Sequence, residues 1–268
     1  MRSKASFCIE NSSFKQEKHA ASATRKSMYI DDKGIVLRTI KYDDKSFIAH
    51  VFTCSRGHAT FIVNGSRGKR GGIARLFQPL TILNFQWDMR PTASLHRMKE
   101  VRLGIIQQSI PVDPTKRSIA MLLAEFMCHT LSNEAENADL YTYIEFSLQW
   151  IDTAVEGYAN FHLVFLLKLA RFLGIAPDMD TYSEGDFFDL TRSKFVPYAI
   201  PSDTVMSSAD AQLFFQLGMA NYETMRTIAM NRHDRVRMLR YIERYYALHI
   251  PKFPAIQSIE ILQTLFDA

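Results

Sequence analysis

The hydrophobic period of this chain changes once, at Pro111 and Pro114. Upstream of that point the apolar residues come in short β-branched runs with turn signals between them. KGIVLRTIKY (33–42) is closed by Asp43 and Asp44, SFIAHVFTCS (46–55) is turned by Arg56 and Gly57, and HATFIVNG (58–65) follows. FQPLTILNFQW (77–87) has Pro79 near its start, where a strand tolerates proline, and SLHRMKEVRL (94–103) comes after Arg90 and Pro91. Five such runs in so short a stretch predict a small barrel or sandwich, and at this size the five-stranded Greek-key barrel of the OB type is the natural candidate.

Downstream, the spacing is helical. TKRSIAMLLAEFMCHTL (115–131) places Ile119, Leu122, Leu123, Phe126 and Met127 on one stripe. LYTYIEFSLQWIDTAV (140–155) and YANFHLVFLLKLARFLG (158–174) continue the pattern, with Gly174 as the stop. Residues 175–206 carry Pro177, Gly185, Pro197 and Pro201 and read as irregular. Helical runs resume at 208–219, where Ser207 and Asp210 resemble a capping box, and at 221–230, 232–249 and 257–267. Strands followed by helices, without βαβ alternation, predict an α+β chain of more than one domain. Its expected parts are a β-barrel at 28–107 and an α-helical domain at 108–268 with an irregular insertion near 175–206. Residues 1–27 read as a disordered basic arm without the apolar core of a signal peptide or, more simply, as sequence upstream of a start at Met28.

Charge separates the same parts. Residues 1–27 carry a net +4 and residues 28–107 a net +7, while 108–268 carry −7. A basic front half is suited to a polyanion. The hydrophobic fraction of 47% allows a real core, and no run of apolar residues is long enough to span a membrane. Cys8, Cys54 and Cys128 lie too far apart for a disulfide framework or a CxxC pair, which fits a reducing, cytoplasmic setting.

The basic charge is concentrated by a gap in the acids. Between Asp44 and Asp88 there is no Asp or Glu, where ordinary composition would place about five. Within the gap lie Lys45, Arg56, Arg67, Lys69, Arg70 and Arg75, three of them in the glycine-rich stretch NGSRGKRGG (64–72). That stretch is not a P-loop. Arg70 follows Gly68-Lys69 where Ser or Thr must hold Mg²⁺, and Val63 stands where the first glycine belongs. Glycines let backbone N–H groups approach phosphates, and the cations release counterions, so nucleic-acid contact is the favoured reading over a solvated hairpin tip. Phe47, Phe52, Phe61 and Phe77 interleave with the cations. Some could stack bases, although barrel core is the better account of most of them.

Other constellations are weaker. His50, Cys54 and His58 are spaced four apart, and on one strand that separates neighbours by about 13 Å, too far to share a zinc ion. The run 225–250 holds six arginines, read as the solvated face of an amphipathic helix slightly ahead of a second polyanion surface. Asp178, Asp180, Glu184, Asp186 and Asp189 lack an EF-hand pattern and read as an exposed loop. No GxSxG, HExxH or kinase signature is present, so no enzyme and no cofactor are expected.

The motifs KGIVLRTIKYDDKS, NGSRGKR and LFQPLTILNF, in that order and spacing, resemble the RecO family of bacterial DNA repair proteins. LARFLGIAPDMD (169–180) is similar to that family's segment after the third helix. The resemblance implies an OB barrel that binds single- and double-stranded DNA and adds Arg38, the basic residue after GIVL, to the contact set. It implies annealing of complementary strands and loading of the RecA recombinase onto strands coated by single-strand-binding protein (SSB). It also implies partnership with RecR and with the acidic C-terminal tail of SSB, and a cytoplasmic, nucleoid-associated location. Two departures stand out. Many members carry a four-cysteine zinc element where residues 175–200 have no cysteine, so no zinc is expected and Phe187, Phe188 and Phe195 are expected to hold that segment by packing. The family's Arg-Phe pair is replaced by Val164 and Phe165, which assigns the SSB tail to Phe165, Lys168 and Arg171. Two other readings remain open on the residues alone: a scaffold that docks acidic peptides, and an RNA-binding OB protein.

Overall fold

Alternating apolar residues between Tyr29 and Leu103 build five strands in the computed structural model, which describes residues 29–65, 72–88, 93–198 and 202–261. They are β1 (Tyr29–Lys41), β2 (Ser46–Thr53), β3 (Gly57–Asn64), β4 (Ile82–Asp88) and β5 (His96–Leu103). They close into a barrel in the order β1-β2-β3-β5-β4, with β4 returning antiparallel to β1 and β3 running parallel to β5. This is the five-stranded OB-type barrel expected from the sequence. A short 3-10 turn, Ile73–Leu76, links β3 to β4.

The fourth run starts later than its composition suggests. Phe77–Thr81 forms a turn, so Pro79 lies outside β4. Leu80 there has φ +62°, a strained conformation for a leucine. Its backbone N–H donates to Val36 O, and its side chain is fully buried, which together hold it in place.

Strands β1, β2 and β4 present two apolar faces. Val36, Val51, Phe61, Phe85 and Trp87 point into the barrel. Ile35, Leu37, Phe52 and Ile82 belong instead to the hydrophobic cluster of the helical half. A bulge in β1 makes this possible. The register against β2 shifts between Val36 and Arg38, so Leu37 is an extra residue that sinks under the helices while Arg38 stays exposed.

The helical half comprises α1 (Pro114–Thr130), α2 (Ala138–Thr153), α3 (Phe161–Phe172), α4 (Ser208–Met219) and α5 (Arg232–His249). Asp113 caps α1 through Thr115 N and Lys116 N with Pro114 in the first turn, Ser207 accepts from Asp210 N, and Asn231 and Asp234 form a full capping box on α5. Helix α3 is buried on nearly every side, packing against α1, α2, α4 and α5, and ends at Gly174 with φ +71°.

One expectation for this half is refined and one is corrected. Within 175–206, otherwise turns and loop among the described residues, three very short strands, β6 (Phe187–Asp189), β7 (Lys194–Val196) and β8 (Val205–Met206), pair in the order β7-β6-β8. Phe188 packs 4.8 Å from Phe195 and 4.7 Å from Phe214 between ring centroids, while Phe187 is half-buried. The segment 221–230 is not an α-helix. Asn221 accepts from Glu223 N and Thr224 N, and only Met225–Thr227 forms a 3-10 turn. Of the expected helix at 257–267, residues 258–261 are helical and the rest lies outside the described residues.

The link between the halves is clamped. Asp152 at the end of α2 accepts backbone N–H groups of Gln108, Ser109 and Ile110. Burial raises the pKa of its carboxyl, but these donors and Ser109 Oγ outweigh it and hold the group below its ordinary value. Lys116 is almost fully buried, and its ammonium donates to Ser109 Oγ, Asp152 O and Ala154 O.

Candidate nucleic-acid interface

Antiparallel pairing decides which cations meet. The β1–β2 turn and the exit of β3 lie at one end of the barrel, where Gly65 N donates to Lys45 O at 2.7 Å. Lys45 therefore sits where the glycine-rich loop leaves the barrel. Arg67, Lys69 and Arg70 lie outside the described residues. The loop re-enters at Gly72, and the 3-10 turn carries Arg75, exposed, beside Ile73 and Leu76, which pack on the barrel core. At this end Asp43 is turned inward to its own loop, accepting from Lys45 N, Ser46 N and Ser46 Oγ, with Ser46 Oγ first among the donors that hold its carboxyl below the usual range. Tyr42 is 60% exposed in the same turn.

Arg56 is elsewhere. It lies in the β2–β3 turn, roughly 25 Å from Lys45 along β2 at about 3.3 Å per residue. That end packs on the α1–α2 loop, where His58 N donates to Glu134 O. Arg38 occupies the outer face midway, opposite His50 in register, and reaches the Cys128 thiol of α1. Among the described site residues, Lys45, Gly65 and Arg75 lie toward one end of the barrel, Arg38 stands on the side, and Arg56 is at the far end.

The two histidines are closer than strand spacing predicts. The run 46–64 folds as a hairpin, so His50 and His58 sit on neighbouring strands with ring nitrogens 3.4 Å apart and rings stacked at 5.5 Å. Cys54 is in the turn, half-buried beside Asp32 and Lys33. Burial holds both imidazoles below the usual histidine range, with Arg38 adding to the effect at His50 and His50 adding to it at His58. Among the described residues no group of three or more His, Cys, Asp or Glu could hold a metal ion.

The phenylalanines are structural. Phe52, Phe61 and Phe77 are buried, and Phe47 packs edge-on to Phe77 at 5.0 Å, so none of the four offers an open ring to a base. Among the described barrel residues the exposed aromatic is Tyr42, which the sequence reading passed over. It also missed Arg97, Lys99 and Arg102 on β5, all exposed. Arg97 pairs in register with Ile62 of β3, and the Lys99 ammonium lies 3.9 Å from the centre of the Tyr29 ring. Arg97 and Lys99, two apart, share a face, and that period was the available signal for them; Arg102 falls three beyond Lys99, across the register shift opposite Asn84 and Gln86.

On the helical half, the arginines of α5 are occupied. Arg237 bonds Asp210 at 2.8 Å and Asp234 at 2.7 Å, Arg240 bonds Glu243, and Arg244 bonds Asp203. This favours the solvated-face reading over a second polyanion surface. Phe165 is fully buried, stacked on Tyr143 at 5.3 Å, so it is core and cannot touch a partner directly. Lys168 is half-buried, its pKa lowered by burial and then by neighbouring Arg171, which is exposed. No described helix is long and apolar enough to cross a membrane.

Comparison with known proteins agrees with this architecture at both ends. The family model for the recombination protein O N terminal matches residues 28–104, and that for the recombination protein O C terminal matches residues 111–255. DNA repair protein RecO of Bacteroides fragilis is 42% identical over 236 residues, covering 87% of this chain and 98% of the relative. The proteins of the same name from Phocaeicola vulgatus and Porphyromonas gingivalis are 40% and 33% identical over 87% and 90% of this chain, and over 98% and 100% of their own lengths.

Proposed function

This chain belongs to the RecO family of DNA repair proteins, and from that premise we propose that it binds DNA through its barrel, anneals complementary strands and assists RecA loading on SSB-coated single strands. The observation that carries the reading is the acid-free stretch 45–87, whose glycine-rich loop is held at Gly65 against Lys45 and returns to exposed Arg75. Phosphates are the target that such a surface suits, since cations and glycine N–H groups neutralise backbone charge without reading sequence. Arg38 extends the contact along the outer face, and Arg56 serves a strand only where it passes the far end of the barrel.

Annealing follows from binding alone. Two strands repel through their phosphates, and a surface that neutralises them while leaving base edges unread lets complementary bases pair. The buried phenylalanines support this reading, because a barrel that stacked every base would oppose pairing. No turnover chemistry is assigned, and the proposed setting is the bacterial cytoplasm, at the nucleoid. RecR and the acidic tail of SSB are the proposed partners, with Lys168 and Arg171 supplying charge to the tail.

The test is annealing of complementary oligonucleotides coated with SSB. The expected result is duplex formation accelerated by this protein, and slower in an Arg67→Ala, Lys69→Ala, Arg70→Ala variant. Equal rates with and without the protein contradict the reading. An RNA strand that outcompetes DNA of the same sequence would redirect it to RNA.

A further inference from the structure

We propose that His50 and His58 form a two-imidazole site for a transition-metal ion of the zinc, nickel or copper class. The β2–β3 hairpin sets the pair. His50 lies opposite Thr60 and His58 opposite Phe52, so the two histidines sit diagonally on the outer face of neighbouring strands. His50 Nδ1 and His58 Nε2 are 3.4 Å apart, and Thr60 Oγ1 is 3.5 Å from the same Nδ1. Both separations are long for a hydrogen bond. The first is what two ligands show across a tetrahedral ion. Bonds of about 2.0–2.1 Å at the tetrahedral angle place the two nitrogens about 3.3–3.4 Å apart. The hairpin therefore holds the rings at chelating distance without rearrangement.

Ligand chemistry selects the ion. Imidazole nitrogen suits zinc, copper and nickel, whereas magnesium and calcium require oxygen. Only the neutral ring ligates, and burial keeps both rings in that form at neutral pH. Each is half-buried, so the pair is reachable from solvent. Among the described residues no third His, Cys, Asp or Glu joins the two, which leaves the remaining positions to water or an anionic oxygen. The ion is accordingly exchangeable, unlike the ion of a closed four-ligand centre. The charged neighbours act against it. Arg38 of β1 stands opposite His50, and its charge also reaches Cys128 and His129 of α1, where Glu125 opposes it. A guanidinium beside the pair repels a cation, so removing its charge tightens the site. The proposal does not depend on the DNA grip, although Arg38 belongs to both surfaces.

The experiment titrates zinc chloride into the full chain, stripped beforehand with a chelator, and follows the heat of binding. Saturable binding is expected, with none for magnesium. It should weaken at least tenfold in His50→Ala and in His58→Ala, and stay unchanged in His233→Ala, whose side chain is exposed at the start of α5. Melting temperatures in chelator report whether the variants fold, and zinc should raise that of the wild type but not those of the two histidine variants. Arg38→Gln leaves both ligands in place and should bind zinc several-fold more tightly than the wild type. Absence of zinc binding, or equal binding by the histidine variants, overturns the proposal. So does an Arg38→Gln variant that binds no more tightly, which would put the ion on another face. Cobalt in place of zinc gives the last check: a thiolate charge-transfer band that survives both histidine changes would assign the ion to a cysteine and overturn the proposal equally.

Discussion

His162 lies on α3 with its side chain sealed in the core, 2% exposed, and its Nδ1 has no hydrogen-bond partner among the described residues. Burial, with Arg235 adding to it, pushes the imidazole down to a pKa of about 3. In the unfolded chain the same group titrates near its ordinary value of 6.5. Below pH 6.5 the unfolded state takes up a proton that the folded state refuses, so stability is full above 6.5 and falls as pH drops toward 3. The rate is about 1.4 kcal/mol per pH unit for one group. Urea unfolding at pH 7 and pH 5 should show His162→Phe losing about 2 kcal/mol less than the wild type over that interval. Equal losses would mean that His162 is not the neutral buried group described. His50 and His58 shift in the same direction, but they are present in both proteins and drop out of the comparison.

The elements are legible in the sequence to the extent that their periods are long. The five barrel strands and the five α-helices each repeat a 2- or 3.6-residue pattern often enough to be read. The sheet at Phe187–Met206 does not, because strands of two and three residues have no period to show. The His50–His58 contact was missed for a different reason: spacing was taken along one strand, while Arg56-Gly57 turns the chain and brings the pair together across two. The same limit hid the clamp between the linker and α2, which joins residues some forty positions apart. Its worth is testable. Asp152→Ala leaves three backbone N–H groups unpaired, and Lys116→Met removes the donor of Ala154 O while Asp152 O keeps Ser109 Oγ. Each change is expected to cost about 2–3 kcal/mol in denaturant midpoint at unchanged slope, whereas a cost under about 0.5 kcal/mol, typical of a surface site, would show that the linker is held by other contacts.

At the scale of the molecule, barrel and helices share one hydrophobic cluster, into which β1, β2 and β4 send Ile35, Leu37, Phe52 and Ile82. Those four side chains contribute on the order of 8 kcal/mol, comparable to the net stability of a whole domain. Calorimetry should therefore give one cooperative transition, and two resolved transitions would mean that the halves are held apart more loosely than their shared core implies. What the shared core positions is the barrel end that carries Lys45, Gly65 and Arg75. The charge gap that marks this end was legible as composition, but its division from Arg56 was not, because that depends on strand pairing. The most direct measurement is the salt dependence of binding to a fluorescent single strand. If about five phosphates are neutralised, the slope of log K against log salt is near −3.5, and replacing Arg67, Lys69 and Arg70 together by alanine should flatten it by about 2. An unchanged slope and affinity in the triple variant would contradict the account.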